Sequence, residues 1–345
     1  MNRRLAPSAR MLANILMDPA AYAPRDADVW TGIITIARAE QLLGTLSHKL
    51  RTFDLPPPVA AIMADARLNA EYQRRAALWE ADCARRALAQ MDGRVALMKG
   101  TAYVAAGLKA GEGRHIGDLD IMVSRHDLAE TERLLIGNGG WEWVKEDAYD
   151  EAYYRDHMHE LPPMIHKDRD RMIDVHHTIL PPTARPTPDA AAMLADAIKL
   201  ENGLYVFAPA DMVCHSAAHL FADGDLTGGM RNLWDIHCLL TEFAQPDTEF
   251  WDALKSRAQH HQLLPAVQRA ARLSAELYGT IISEGWNKPH NTDNHYIRRI
   301  LARDVWGRGT HKFTRLAFYI RSHWIRMPPL MLASHLWTKW RKQKA

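Results

Sequence analysis

Between Val59 and Met91 the chain is rich in Ala, Arg, Leu, Glu and Gln, and apolar residues recur at helical spacing, as at Leu68, Tyr72 and Ala76. Such residues lose little side-chain freedom in a helix, so the pattern predicts one long helix entered from the run Pro56-Pro57-Pro58. Residues 1 to about 90 read as helical throughout. The period changes at Arg94. Val95 to Gly100 is a short apolar run ending on a glycine, which predicts a strand. The following TAYVAAGLKAG predicts a helix closed at Gly111 and Gly113. DLDIMV alternates with period two and predicts another strand. A helix is expected after Ser124 to Asp127, with a glycine-rich stop at HDLAETERLLIGNGG. Trp141–Val144, Tyr149–His157, Glu160–Lys167 and Met172–Ile179 predict strands, with Asp168-Arg169-Asp170 at the tip of the hairpin joining the last two. Pro181, Pro182, Pro186 and Pro188 mark a linker, after which residues 189–285 return to helical patterning.

This pattern divides the chain into an N-terminal helical region (1–91), a mixed block (92–182), a helical domain (183–290) and a terminal helical tail (291–345). The whole is an α+β protein in which helical regions flank a mixed sheet. At 345 residues there is ample chain for a sizeable core. Hydrophobic content of 47% and charged content of 24% are those of a globular protein. A net charge of +2 is too small to point to nucleic acid or a membrane by itself.

The exception is local. Arg315 to Ala345 holds seven Lys or Arg and no Asp or Glu, together with Trp324, Trp337 and Trp340, and Pro328-Pro329 break it in two. A basic aromatic tail suits an anionic partner, or it packs its rings on the body and solvates its charges. Cys83, Cys214 and Cys238 are too widely spaced for a disulfide framework or a zinc motif, and Cys214 and Cys238 fall in helical segments as buried thiols. A reducing, cytoplasmic setting is expected, with no apolar run long enough to span a bilayer.

The candidate chemistry lies in KGTAYVAAGLKAGEGRHIGDLDIMV. On a strand, Asp118 and Asp120 share a face while Leu119 and Ile121 point into the core. Two carboxylates on one face repel unless a cation lies between them, and hard oxygen ligands suit Mg²⁺ with substrate phosphates. Upstream, Lys99-Gly100-Thr101 stands between strand and helix. A glycine there permits close backbone approach, the helix start offers free N–H groups, Thr101 adds a hydroxyl and Lys99 a charge, all suited to a triphosphate. Downstream, Asp174 alternates with Ile173 and Val175 and completes a three-carboxylate set. Arg114 precedes the paired aspartates by four residues and either reaches a phosphate or makes an internal ion pair. Arg231 and Asp235 stand four apart on an expected helix, so they pair with each other or contact the nucleotide. His157, His159, His166, His176 and His177 cluster without zinc-motif spacing. His176, two beyond Asp174, shares its face and is placed to orient it or to touch an acceptor. The remaining histidines are expected to be structural or exposed.

LMKG, then GRHIGDLDIMV, then MIDVHHTI resembles an uncharacterised bacterial nucleotidyltransferase family within the superfamily that shares the DNA polymerase β palm. The resemblance is strong over about residues 95–180 and extends weakly to about 240, through His219 and the stretch Arg231 to Asp235. It does not cover residues 1–60 or the tail. The superfamily's Gly-Gly or Gly-Ser is here Gly100-Thr101, preceded by Lys99, and all three acidic positions are filled. The resemblance implies a palm fold and transfer of a nucleotidyl group, AMP from ATP foremost, to a hydroxyl or phosphate acceptor with loss of pyrophosphate. It implies two Mg²⁺ ions about 3.5–4 Å apart, bridged by Asp118 and Asp120, with Asp174 beside the acceptor. Lys99, Gly100, Thr101, Arg114, Arg231 and Asp235 would then attend the nucleotide. A small molecule or peptide is favoured as acceptor over nucleic acid. The alternatives are a toxin- or resistance-type transferase acting on tRNA or an antibiotic, and a non-catalytic nucleotide-binding interaction module.

Overall fold

The computed structural model describes residues 8–144, 157–244 and 248–326. Among the described residues seven short strands form one mixed sheet: β1 (Ala96–Leu97), β2 (Leu119–Met122), β3 (Trp141–Trp143), β4 (Met164–His166), β5 (Met172–His176), β6 (Ile198–Lys199) and β7 (Tyr205–Val206). Their spatial order is β3-β4-β5-β2-β1-β7-β6. β2 runs antiparallel to β1 and parallel to β5, so the two acid-bearing strands are neighbours at the centre of the sheet. Leu119, Ile121, Ile173 and Val175 are all buried, which fixes the register: a one-residue slip would turn these four to the opposite face.

Helices cover the sheet. The long one expected after the prolines spans Pro57–Ala87. Its buried face is made of Val59, Met63, Ala70, Ala77, Ala81 and Ala84, whereas Leu68 and Tyr72 face solvent. The periodic apolar pair noted in the sequence is therefore not the core face. Small alanines are, because the neighbouring elements approach closely there: an added Cβ at Gly44 would stand 3.1 Å from that of Ala70. The hairpin tip at 168–170 is anchored to this helix by a bidentate Arg169–Glu80 ion pair at 2.8 and 2.9 Å, with Asp170 in a left-handed conformation.

Three further differences from the sequence reading have local causes. The helix that starts at Lys99 stops at Ala105, short of Gly111. Gly107 takes φ +69°, Leu108 N–H bonds back to the Tyr103 carbonyl, and a 3₁₀ turn follows at Lys109–Gly111. The region after the proline linker is not purely helical: β6 and β7 return from residues 198–206 to extend the sheet beyond β1. Glu160–Lys167 is not one strand, since β4 holds only Met164–His166 and Glu160 makes an isolated bridge. The expected start at Ser124 is present, its hydroxyl accepting from Asp127 N–H ahead of the helix Leu128–Gly137. Tyr149–His157 lies, except for His157, outside the described residues.

Past residue 206 the described chain is mainly helical. The helices Pro209–Ala218, Gly229–Phe243, Thr248–His260 and Leu264–Tyr278 pack together and join the sheet and the N-terminal helices in one hydrophobic cluster. Cys214 and Cys238 are buried in two of these helices. The last described helix, Lys312–Arg326, exposes Phe313, Leu316, Ile320 and Trp324. Pro328, Pro329, Trp337 and Trp340 of the basic tail lie outside the described residues. No described helix is long and apolar enough to cross a membrane.

Candidate active site

The parallel register pairs Asp120 directly with Asp174. Paired residues on adjacent strands point the same way, and Asp118 lies two residues before Asp120, so three carboxylates gather on one face. One oxygen of each lies within 4.8 Å of those of the other two. Asp118 is exposed, Asp174 half-buried and Asp120 buried at 3% exposure. The donor set is all oxygen, graded from solvent to interior, and it fits a hard divalent cation.

The charge of this cluster is partly met from within. Lys99 Nζ lies 2.5 Å from Asp120 Oδ1, and His176 Nε2 lies 3.0 Å from the same oxygen. Lys99 reaches it from a left-handed backbone, φ +46°, at the head of its helix, a conformation costly for a residue with a Cβ. Burial opposes the charge on Asp120, but Lys99 and His176 outweigh it and hold the carboxyl far below the usual range. Burial likewise opposes the charge on Lys99, and Asp120, Asp118 and Glu160 outweigh that. Among the described residues no lysine or arginine meets Asp174 in this way, and the lowering effect of His176 on it is outweighed. Burial, then the negative charges of Asp120 and Glu160, push it up to about 7. Crowding that keeps a carboxyl protonated near neutrality is what a bound dication relieves.

The other nucleotide-site candidates are placed differently. Gly100 is closely approached, but by a side chain: a Cβ there would lie 2.0 Å from Arg114 Nη1. Thr101 is 1% exposed and its Oγ1 has no hydrogen-bond partner among the described residues, so in this conformation its hydroxyl is closed to a ligand arriving from solvent. Arg114 donates to Asp235 from Nε at 3.1 Å and Nη2 at 3.0 Å, and its guanidinium stacks over Tyr103. Arg231 donates to Asp235 at 3.2 Å and to the carbonyls of Gln41 and His115. The pairing raised for Arg231 and Asp235 is thus present, and it includes Arg114. All three are largely buried, and burial with Arg114 as neighbour pushes Arg231 down to about 10. The triad sits beneath Gly100 as a support. Gln41 and His115, whose carbonyls Arg231 holds, line a cavity of about 560 Å³ together with Arg38, Asn69 and Gln73.

His176 orients Asp120 through Nε2, where the sequence suggested Asp174. His166 is structural, its Nδ1 accepting from Asp168 N–H and Arg169 N–H. Two further residues stand beside the aspartates: Glu160, which the sequence did not single out, and His159, which was grouped with the structural or exposed histidines but lines the cleft. Glu160 bridges His176 across the ladder, and His159 stacks on the His176 ring at a centroid distance of 5.3 Å. With Lys99, Asp174 and His215 they line a cleft of about 280 Å³. The signal was available in part, since Glu160 begins a segment already read as a strand. What was hidden is the register shift that sets it opposite His176.

No curated protein matches the chain. Among solved structures, an antigenic nucleotidyltransferase-like protein from Paracoccidioides brasiliensis is similar at 15% identity, covering 58% of this chain and 91% of that one, with a TM-score of 0.29. Residues 26–279 match the family described as uncharacterised nucleotidyltransferase, a span that holds the whole sheet, the three aspartates and the helices behind them. The chain belongs to that nucleotidyltransferase family.

Proposed function

We propose that the chain transfers a nucleotidyl group, AMP from ATP foremost, to a hydroxyl or phosphate acceptor on a small molecule or peptide. The acceptor oxygen forms a bond to the α-phosphorus, the bond from that phosphorus to the β-bridging oxygen breaks, and pyrophosphate leaves. The observation that carries this reading is the convergence of Asp118, Asp120 and Asp174 within 4.8 Å. These residues would hold Mg²⁺, which when bound supplies charge neutralisation at the phosphates. Lys99, the partly exposed cation at the helix head, binds the polyphosphate. Asp174, beside Asp120 on the neighbouring strand, would take the acceptor's proton. Arg114, Arg231 and Asp235 position the Lys99–Gly100 turn from beneath.

The test is incubation of the protein with each α-labelled nucleoside triphosphate and Mg²⁺, following pyrophosphate release and label transfer into cell-extract metabolites and peptides by mass spectrometry. Magnesium-dependent pyrophosphate release is expected, reduced at least about a hundredfold in Asp120→Asn, the scale of losing one preorganised electrostatic group. Release that persists in Asp120→Asn, or that needs no divalent ion, would overturn the proposal.

A further inference from the structure

We propose that His159, Glu160 and His176 form a second metal site, separate in ligand chemistry from the three aspartates and built for a borderline transition-metal dication, Zn²⁺ foremost. The ligand atoms converge. His176 Nδ1 stands 3.4 Å and His159 Nε2 3.8 Å from the same oxygen, Glu160 Oε2. Both separations exceed a good N–H···O hydrogen bond. Two donors each about 2.0–2.1 Å from one tetrahedral ion stand roughly 3.4 Å apart; the His176–Glu160 spacing matches this, the His159–Glu160 spacing is slightly wider, and all three ligand atoms lie within 4.8 Å of one another. His176 is 2% exposed and its Nδ1 has no hydrogen-bond partner among the described residues, a costly state for a buried polar atom that a metal bond would relieve.

The second ring nitrogen supports the same assignment. His176 Nε2 bonds Asp120 Oδ1 at 3.0 Å. With Nε2–H donated to a carboxylate, the tautomer is fixed and Nδ1 carries the lone pair that a metal requires. Two imidazoles and one carboxylate with a remaining position open to a cleft make the ligand set of a zinc centre that keeps a coordination site for water or substrate. Mg²⁺ prefers oxygen donors, so the two sites sort metals by ligand type. The backbone that makes this possible is a bulge. β4 pairs Met164 with Ile173, yet Glu160 faces His176, so the ladder gains one residue at Pro162-Pro163 and Glu160 is brought onto the histidine's face. Asp120 then serves both centres, as a ligand in one and as the hydrogen-bond partner of a ligand in the other.

The test uses the full chain stripped with EDTA, without nucleotide, so failure of transferase activity would not bear on it. Co²⁺ is titrated in excess Mg²⁺ while visible absorption is followed, and Zn²⁺ is then added in competition. One equivalent of Co²⁺ is expected to give the d–d bands of a low-coordinate nitrogen–oxygen site, bleached by Zn²⁺ and insensitive to Mg²⁺. His159→Ala and Glu160→Gln should each weaken binding by at least about tenfold, with unchanged circular dichroism, while Asp118→Asn leaves the bands in place. If those variants fold poorly, nitrogen-15 spectra of the wild type decide, with Zn²⁺ shifting the ring nitrogens of His159 and His176. Absent bands, bands lost in Asp118→Asn but kept in His159→Ala, or unmoved ring nitrogens would overturn the assignment.

Discussion

At the scale of single residues, Lys99 is the most exacting position in the site. Its backbone sits at φ +46° and its ammonium rests on a carboxylate that is otherwise buried with His176. Lys99→Met would leave Asp120 charged, buried and without its main cation. Breaking a buried pair from one side costs about 3–5 kcal/mol. Lys99 is about a quarter exposed, so the low end, about 3 kcal/mol, is expected. Removing the charge on the other side should return part of that loss. A double-mutant cycle of Lys99→Met and Asp120→Asn, read by urea unfolding in EDTA, is expected to show a coupling of about 1–3 kcal/mol. Strict additivity of the two single losses would mean that the contact contributes nothing.

At the scale of elements, the buried Arg114–Asp235–Arg231 triad ties the helix Gly229–Phe243 to the segment before β2 and to Gln41. One carboxylate serves two guanidinium groups, so the partners are not equivalent. Asp235→Ala leaves two cations buried against each other and is expected to cost about 3–5 kcal/mol. Arg114→Met leaves Arg231 still paired and should cost clearly less. Chemical denaturation of both variants gives the ranking, and an equal or reversed order would refute it. This triad also shows what the sequence could and could not convey. The four-residue spacing of Arg231 and Asp235 made their pairing readable, because helix geometry is local. The third member was not readable, because Arg114 lies 121 positions from Asp235 and meets it only when the chain has folded. The same division holds in the sheet. Alternation marked Asp120 and Asp174 as residues facing away from the core on separate strands, whereas the parallel pairing that sets them side by side is visible only in the folded sheet. Glu160 was hidden by a one-residue bulge, β6 and β7 by being only two residues long, and the exposed Leu68–Tyr72 pair misled because periodicity does not say which face is buried.

At the scale of the whole molecule, the helical half is fastened to itself by a charge that acid removes. Asp211, at the head of the helix Pro209–Ala218, is fully buried. Arg257 grips it with bonds of 2.6 and 2.7 Å, and His261 Nε2 lies 2.9 Å from Oδ1. Arg257 also reaches Asp196 at 2.9 Å, and His261 Nδ1 accepts from Asp189 N–H, so this one carboxylate links the segments on both sides of β6 and β7 to the helix Thr248–His260. Burial opposes the charge, but the bonds from His261 and Arg257 outweigh it and hold Asp211 below its ordinary 3.8. A carboxyl depressed in the folded state stabilises that state fully above its unfolded value, and the contribution fades as pH falls through the folded value. The wild type should therefore lose stability steeply below about pH 4. Asp211→Asn keeps the shape but not the charge. It should be less stable than wild type at neutral pH by about 3 kcal/mol, the scale of a buried pair broken on one side. Its stability should then change less with acid, so that the two proteins converge at the lowest pH where both still fold. Urea unfolding across the acid range measures this, and parallel pH profiles for the two proteins would show that the Asp211 charge is not what binds these segments together.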